Sequence, residues 1–159
     1  MKYFLIAGEA SGDLHARHLM DAIRNNDAGA EIRYWYRPDL AYMGFISVAM
    51  HLSEILRGMQ ECKKDILEFA PDRLILVDYP GFNLKIAAWF HKTFVEVQGG
   101  AASSAPKVVY YIPPKIWAWK EGRIVQIKKY VDSILSILPF EVNWYAEKHD
   151  CHVDYVGNP

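Results

Sequence analysis

The sequence predicts an α/β fold, a Rossmann-like, doubly wound and mainly parallel sheet of about six strands. Three observations carry that expectation. Short apolar runs alternate with helical patterns almost from end to end. The runs are nearly continuous in Val, Ile, Leu, Tyr and Phe, as strands buried on both faces are. The stretches between them are long enough for crossover helices, which makes βαβ units the natural reading. A chain of 159 residues fits one such domain, since domains run to ~100–200 residues and bury ~70% of their unfolded surface at this size.

The elements follow in order. The first strand is Tyr3–Ala7, and a helix begins near Ser11 with Leu14, Leu19, Ala22 and Ile23 inward. A strand at Glu31–Trp35 leads into Trp35–Leu40, a compact stretch with no obvious helix. The clearest helix spans Glu54–Phe69, where Ile55, Leu56, Met59, Cys62, Ile66 and Leu67 fall three and four apart and Ser53 suits the N-cap. Strand Arg73–Val77 follows, then a helix after Asn83 carrying Leu84, Ala87, Ala88, Phe94 and Val95 on one side. Gln98–Pro106 reads as a flexible linker. Strand Lys107–Ile112, a helix over about Glu121–Tyr130, and strands Ser133–Leu138 and Val153–Val156 complete the pattern. A doubly wound domain ordinarily continues into a helix after its last strand, so the end at Pro159 reads as a cut.

Composition narrows the function. Lys and Arg number 18 and Asp and Glu 19, a formal charge of −1, with pI near 6.6. Proteins that coat nucleic acid neutralise phosphates with excess cations, so no nucleic-acid partner is expected. Hydrophobic residues at 52% against 23% charged exclude a disordered chain. Cys62 and Cys151 make no disulfide framework and read as reduced thiols. No apolar run approaches the ~18 residues of a membrane span. The opening Met1–Gly8 resembles a signal peptide, but Glu9 and Asp13 cut the apolar stretch short. The expectation is a soluble, cytoplasmic chain without a cofactor.

Ligands of open α/β sheets bind outside the carboxyl ends of the strands, and the unusual residues of this chain gather there. After the first strand comes Gly8-Glu-Ala-Ser-Gly-Asp13, two glycines in a strand-to-helix turn. A third glycine is missing for a dinucleotide fingerprint. Glu9 and Asp13 place negative charge where a pyrophosphate would sit, which suits a hydroxyl-rich ligand better. Alternatively Ser11 or Asp13 only caps the helix. After the third strand comes Asp78-Tyr-Pro-Gly-Phe-Asn83, where a partly desolvated Asp78 could serve as general base or could simply hold the turn.

Trp117-Ala-Trp119 with Lys115, Lys120 and Arg123 combines flat apolar faces with cations. That set suits a sugar ring or an anionic head group, or else a pair of core aromatics with a solvated basic flank. The segment Tyr42–Leu52, with Met43, Phe45, Met50 and Leu52, is either an acyl-lining or membrane-facing surface or core packing. His149, Cys151 and His152 lie close together but fall short of a metal ligand set, so no metal is expected. His15 and His18 read as helix-surface residues. From these features alone a binding module of flavodoxin or receiver type, with Glu9, Asp13 and Asp78 clustered around a metal, remains the competing reading.

Six segments occur together and in order: Gly8–Asp13, Ala41-Tyr-Met-Gly44, Asp78–Asn83, Trp117–Trp119, Leu138-Pro-Phe-Glu141 and Val156-Gly-Asn-Pro159. In this the chain resembles the N-terminal half of the lipid-A-disaccharide synthases, in a form similar to the Bacteroidetes branch. The resemblance implies a GT-B glycosyltransferase of two Rossmann-like domains. Such an enzyme joins a UDP-2,3-diacylglucosamine donor to a 2,3-diacylglucosamine 1-phosphate acceptor, giving the β-1,6 disaccharide and UDP. Residues 1–159 would be the acceptor-side domain, with the nucleotide-sugar domain absent and the fragment inactive alone.

The resemblance implies Asp78 as general base. It makes Glu9 and Ser11 functional residues of the first turn, and the segment with Met43, Phe45, Met50 and Leu52 a surface toward the acyl chains or the inner membrane. Asp13, Asn83, Trp117, Arg123 and Glu141 join Glu9 and Ser11 as the expected substrate-binding residues. Peripheral attachment to the cytoplasmic side of that membrane follows. The chain departs from the family in a Trp35–Leu40 segment too short for the usual glycine-rich stretch. It also has Pro113 and Pro114 where a Ser is common, and Gly81 where many members have Asp. Gly81 leaves Asp78 the one acid of its turn.

Overall fold

A computed structural model describes residues 1–41, 48–97 and 104–158. Six parallel strands form one sheet: β1 (Lys2–Ala7), β2 (Glu31–Tyr36), β3 (Arg73–Val77), β4 (Lys107–Tyr111), β5 (Ser133–Ser136) and β6 (Asp154–Tyr155). Their spatial order is β2-β1-β3-β4-β5-β6. The helices are α1 (Ala10–Asn26), α2 (Pro38–Ala41), α3 (Val48–Phe69), α4 (Pro80–Phe90), α5 (Ile124–Tyr130) and α6 (Pro139–His149). A π-helical turn at His91–Glu96 prolongs α4, and a 3₁₀ turn at Glu121–Arg123 introduces α5.

The strand order explains the layers. Parallel crossovers are right-handed, so a connection running the opposite way along the sheet must cross on the opposite face. Only β1-to-β2 runs that way, and its helix α1 packs alone against Leu5, Ala7, Ile75, Val77 and Tyr111. The alternate residues Phe4, Ile6, Leu74, Leu76, Val108, Tyr110 and Ile134 face the other way. There they meet Met59, Cys62 and Ile66 of α3, Ile86 and Phe90 of α4, Ile127 of α5 and Tyr145 of α6. Leu74 to Val77 are buried throughout, at ~1.5–3 kcal/mol for each large side chain. The fold class is therefore the expected one, and the order reverses between β1 and β3.

Several local expectations are corrected. Helix α3 begins at Val48, so Ser53 lies inside it rather than capping it. Helix α4 begins at Pro80, whose fixed φ suits a first turn, so Asn83 lies within that turn. Strand β4 stops at Tyr111 because Ile112 turns into the left-handed region at φ 60°. Strand β5 stops at Ser136, whose Oγ accepts the Leu138 backbone N–H at 2.9 Å and draws the chain into α6. Helix α6 fills a stretch for which the sequence pattern predicts no element. Leu14 is 55% exposed instead of inward. A four-residue helix, α2, occupies the compact stretch after β2, with Arg37 gripping Asp39 at 2.7 and 2.9 Å beside it. Most of the linker read at Gln98–Pro106 lies outside the described residues, as do Met43 and Phe45 and the side chain of Met50.

Candidate active site

The reversal between β1 and β3 opens a crevice at the strands' carboxyl ends, where doubly wound sheets hold their ligands. It leads into a cleft of about 440 Å³ lined by residues from α1, the β3–α4 turn and the loops after β4 and β5. Asp78 stands in its wall with Ser11 and His15 of α1 on one side. Pro113, Pro114, Lys115, Trp119 and Arg123 line the other.

The turn that presents Asp78 is strained. Asp78 and Tyr79 are both left-handed, at φ 49° and 48°, a conformation costing side-chain-bearing residues ~1–3 kcal/mol each. The surroundings over-determine it. The Asp78 backbone N–H donates to Tyr111 O at 3.1 Å. The Asp78 carbonyl accepts from Asn83 Nδ2 and from the Tyr110 hydroxyl, each at 2.8 Å. Tyr79 is pinned from above, its hydroxyl on Leu40 O at 3.3 Å and its ring stacked on Phe82, which stacks on Trp35. That ring lies directly over Gly8, where a Cβ would come within 2.4 Å of it. Glycine is required there for close approach.

Burial raises the Asp78 carboxyl above the ordinary carboxylate range, against the opposing pull of the Tyr79 backbone N–H, Lys115 and His15. Partial desolvation, with Asp78 nearby, also raises Glu9, although Glu9 as a residue is largely exposed. A carboxyl raised by burial, facing a cleft that also holds cations and an indole, suits removal of a proton from a hydroxyl.

The loop after β4 is strapped down by α6. Glu141 is 1% exposed and accepts hydrogen bonds from Trp117 Nε1, at 2.8 Å, and from Ser136 Oγ. One turn later Tyr145 donates its hydroxyl to Pro114 O at 3.3 Å. Glu141 and Tyr145, four apart on one helix face, thus hold both ends of the segment that carries Lys115.

Only some of the expected site residues reach the cleft. Asp78, Ser11 and Arg123 line the cleft, and Glu9 lies within electrostatic reach of Asp78. Asn83, Trp117 and Glu141 belong to its support. Asn83 is fully buried with its Nδ2 donating to Val77 O and Asp78 O, and Glu141 is buried against Trp117 and Ser136, so neither lines the cleft. Asp13 points elsewhere, accepting from the Tyr34 hydroxyl at 2.7 Å and from Arg17 at 3.0 Å. Leu52, with its neighbour Leu56 one turn on, is about half exposed on α3.

Lys115 and Trp119, expected as part of the aromatic and cationic set after the fourth strand, line the cleft with Arg123, and so does His15, which reads from the sequence as a helix-surface residue. His15 stands four residues after Ser11, a spacing that puts both on one helix face. Among the described residues no three His, Cys, Asp or Glu side chains converge on a metal position. Asp13, turned toward Arg17, leaves the receiver-like acidic cluster incomplete. His149 and His152 instead lie 2.9 and 3.0 Å from carboxylate oxygens of Glu121 and Asp154.

The sequence profile of the family described as lipid-A-disaccharide synthetase matches residues 3–159. The chain is 38% identical to a lipid-A-disaccharide synthase of Trichlorobacter lovleyi, over 99% of this chain and 42% of that protein. It is 38% identical to one of Nitrosococcus oceani and 37% to one of Alcanivorax borkumensis, over 98% of this chain and 41% of each. The chain thus spans about two fifths of the length of these curated relatives. The alignments run over 169 to 173 positions, more than this chain contains, so the relatives carry extra residues within the matched region. The chain belongs to the lipid-A-disaccharide synthetase family.

Proposed function

We propose that this chain is the acceptor-side domain of a glycosyltransferase that makes the lipid A disaccharide. The acceptor is 2,3-diacylglucosamine 1-phosphate and the donor UDP-2,3-diacylglucosamine, whose nucleotide is held by residues beyond this domain. The observation that carries the reading is Asp78, raised by burial and held in a strained turn at the sheet's switch point. It takes the proton of the acceptor 6-hydroxyl as that oxygen bonds to the donor's anomeric carbon. The bond from that carbon to UDP breaks, and UDP leaves with the electron pair. Strain at Asp78 serves this step by fixing the carboxyl before substrate arrives, so little is lost to reorganisation.

Leu52 and Leu56, one turn apart on α3 and half exposed, support an acyl or inner-membrane surface on that helix, with peripheral attachment on the cytoplasmic side. No helix among the described residues is long and apolar enough to cross a membrane. The test is turnover of Asp78→Asn in a chain of the relatives' full length that carries this domain. A fall of ~10²-fold or more in kcat, with acceptor binding kept, is expected of a lost general base. Unchanged turnover removes Asp78 from the mechanism.

A further inference from the structure

The cleft beside Asp78 carries more positive charge than its fold needs. The chain holds 18 Lys and Arg against 19 Asp and Glu, so acidic partners are plentiful. Arg17, Arg24, Arg33 and Arg37 each hold a carboxylate on the outside of the sheet. Lys115 and Arg123 line the same cleft, yet neither makes an ion pair or side-chain hydrogen bond among the described residues. Nor does the imidazole of His15, on the facing wall, make a hydrogen bond there. Unspent donors converging on one cleft point to an anion as their ligand.

We propose that Lys115 and Arg123, with His15 opposite, form the seat of the acceptor's phosphate monoester. This rests on the acceptor-side reading above. It fits the chemistry, because the 1-phosphate and the 6-hydroxyl flank the same ring oxygen of one sugar. A cleft that offers a base to the hydroxyl must offer cations within one ring's width of that base. Lys115 and His15 already act on the Asp78 carboxyl across the cleft. Arg123 supplies a planar fork for two phosphate oxygens, and Lys115 a point charge on a loop fixed at both ends by α6. Trp119, 65% exposed at the cleft margin, leaves an apolar face for the sugar.

The test is titration of this chain with glucosamine 1-phosphate, glucosamine, inorganic phosphate and UDP, followed by amide NMR. The wild-type chain is compared with Lys115→Met, Arg123→Met and His15→Gln. Unchanged amide spectra of the free variants verify their fold. The seat predicts that glucosamine 1-phosphate binds more tightly than glucosamine. It also predicts that Lys115→Met and Arg123→Met each weaken that binding by about tenfold or more, and His15→Gln by a few-fold, as losses of charge-assisted bonds do. Glucosamine binding should not weaken.

If glucosamine binds beside Asp78 as well as its 1-phosphate does, or the variants bind the phosphate like wild type, the seat is overturned and the acceptor reading stands. If UDP binds at Lys115 and Arg123 more tightly than glucosamine 1-phosphate, the assignment to the acceptor is overturned together with that reading.

Discussion

The strap between α6 and the loop after β4 makes a quantitative prediction through Trp117. Replacing it by Phe keeps an aromatic ring against Phe140, whose centroid lies 5.1 Å from that of Trp117 in an edge-on arrangement. It deletes the Nε1–H that Glu141 accepts at 2.8 Å. Glu141 is 1% exposed, so water cannot replace the lost donor. A buried acceptor left unpaired costs ~1–3 kcal/mol, and Trp117→Phe should destabilise the chain by about that much. In urea, where slopes for small domains are ~1–3 kcal/mol per molar, the midpoint should fall by on the order of 1 M.

Two companion variants isolate the cause. Glu141→Gln keeps an oxygen for Trp117 and offers an amide to Ser136, so it should cost less than Trp117→Phe. In a Glu141→Leu background the Trp117→Phe change should become smaller by ~1 kcal/mol or more, because no acceptor remains to be orphaned. A Trp117→Phe effect under ~0.5 kcal/mol, or full additivity with Glu141→Leu, would refute the strap.

Other consequences follow from the same geometry. Gly8→Ala drives a methyl to 2.4 Å from the Tyr79 ring, which must leave its stack on Phe82. A loss of ~1–3 kcal/mol in chemical denaturation is expected, the usual cost of overpacking. Asp78→Asn should make the fold more stable at neutral pH. Burial raises the Asp78 pKa in the folded state, so the ionised carboxyl opposes folding and wild-type stability falls as pH rises through that raised value. The gain should be absent below about pH 4, where Asp78 is protonated in both states, and appear above it in denaturation series across pH. An Asn variant no more stable than wild type at pH 7 would contradict the burial argument. Leu52→Glu with Leu56→Glu should lower co-sedimentation with anionic lipid vesicles several-fold, since apolar burial at the bilayer boundary is lost. Equal sedimentation would remove α3 from the membrane surface.

Much of this was legible in the residues, for identifiable reasons. Continuous apolar runs marked the buried strands, and β3 was placed residue for residue because nothing in Arg73–Val77 competes with the ladder. The edges were harder. Strand β4 ends one residue early because Ile112 adopts a left-handed φ that its branched side chain gives no hint of. Helix α6 passed unnoticed although Pro139 at its first position and Glu141 in its first turn are start signals. Its apolar residues form no clean stripe, because Glu141 is itself inward.

At the site, Asp78 stood out as a carboxylate closing an apolar strand. Glu141 and Asn83 were drawn to the same sheet edge by the same reasoning, but polar residues there either meet ligand or hold the backbone that does. Only packing distinguishes the two. His15 reads as a surface residue of α1 from its helix alone, because the loop after β4 that shares its cleft is distant in sequence.

If this chain forms the acceptor side of the reaction, as proposed, it binds the acylated sugar phosphate and not the nucleotide. The most direct test is a paired titration of the chain with 2,3-diacylglucosamine 1-phosphate, below its aggregation threshold, and with UDP. Saturable binding of the acylated sugar phosphate, shifting the amides around Asp78, Lys115 and Arg123, with negligible UDP binding, is the predicted result. UDP binding in that cleft without binding of the acylated sugar phosphate would contradict it.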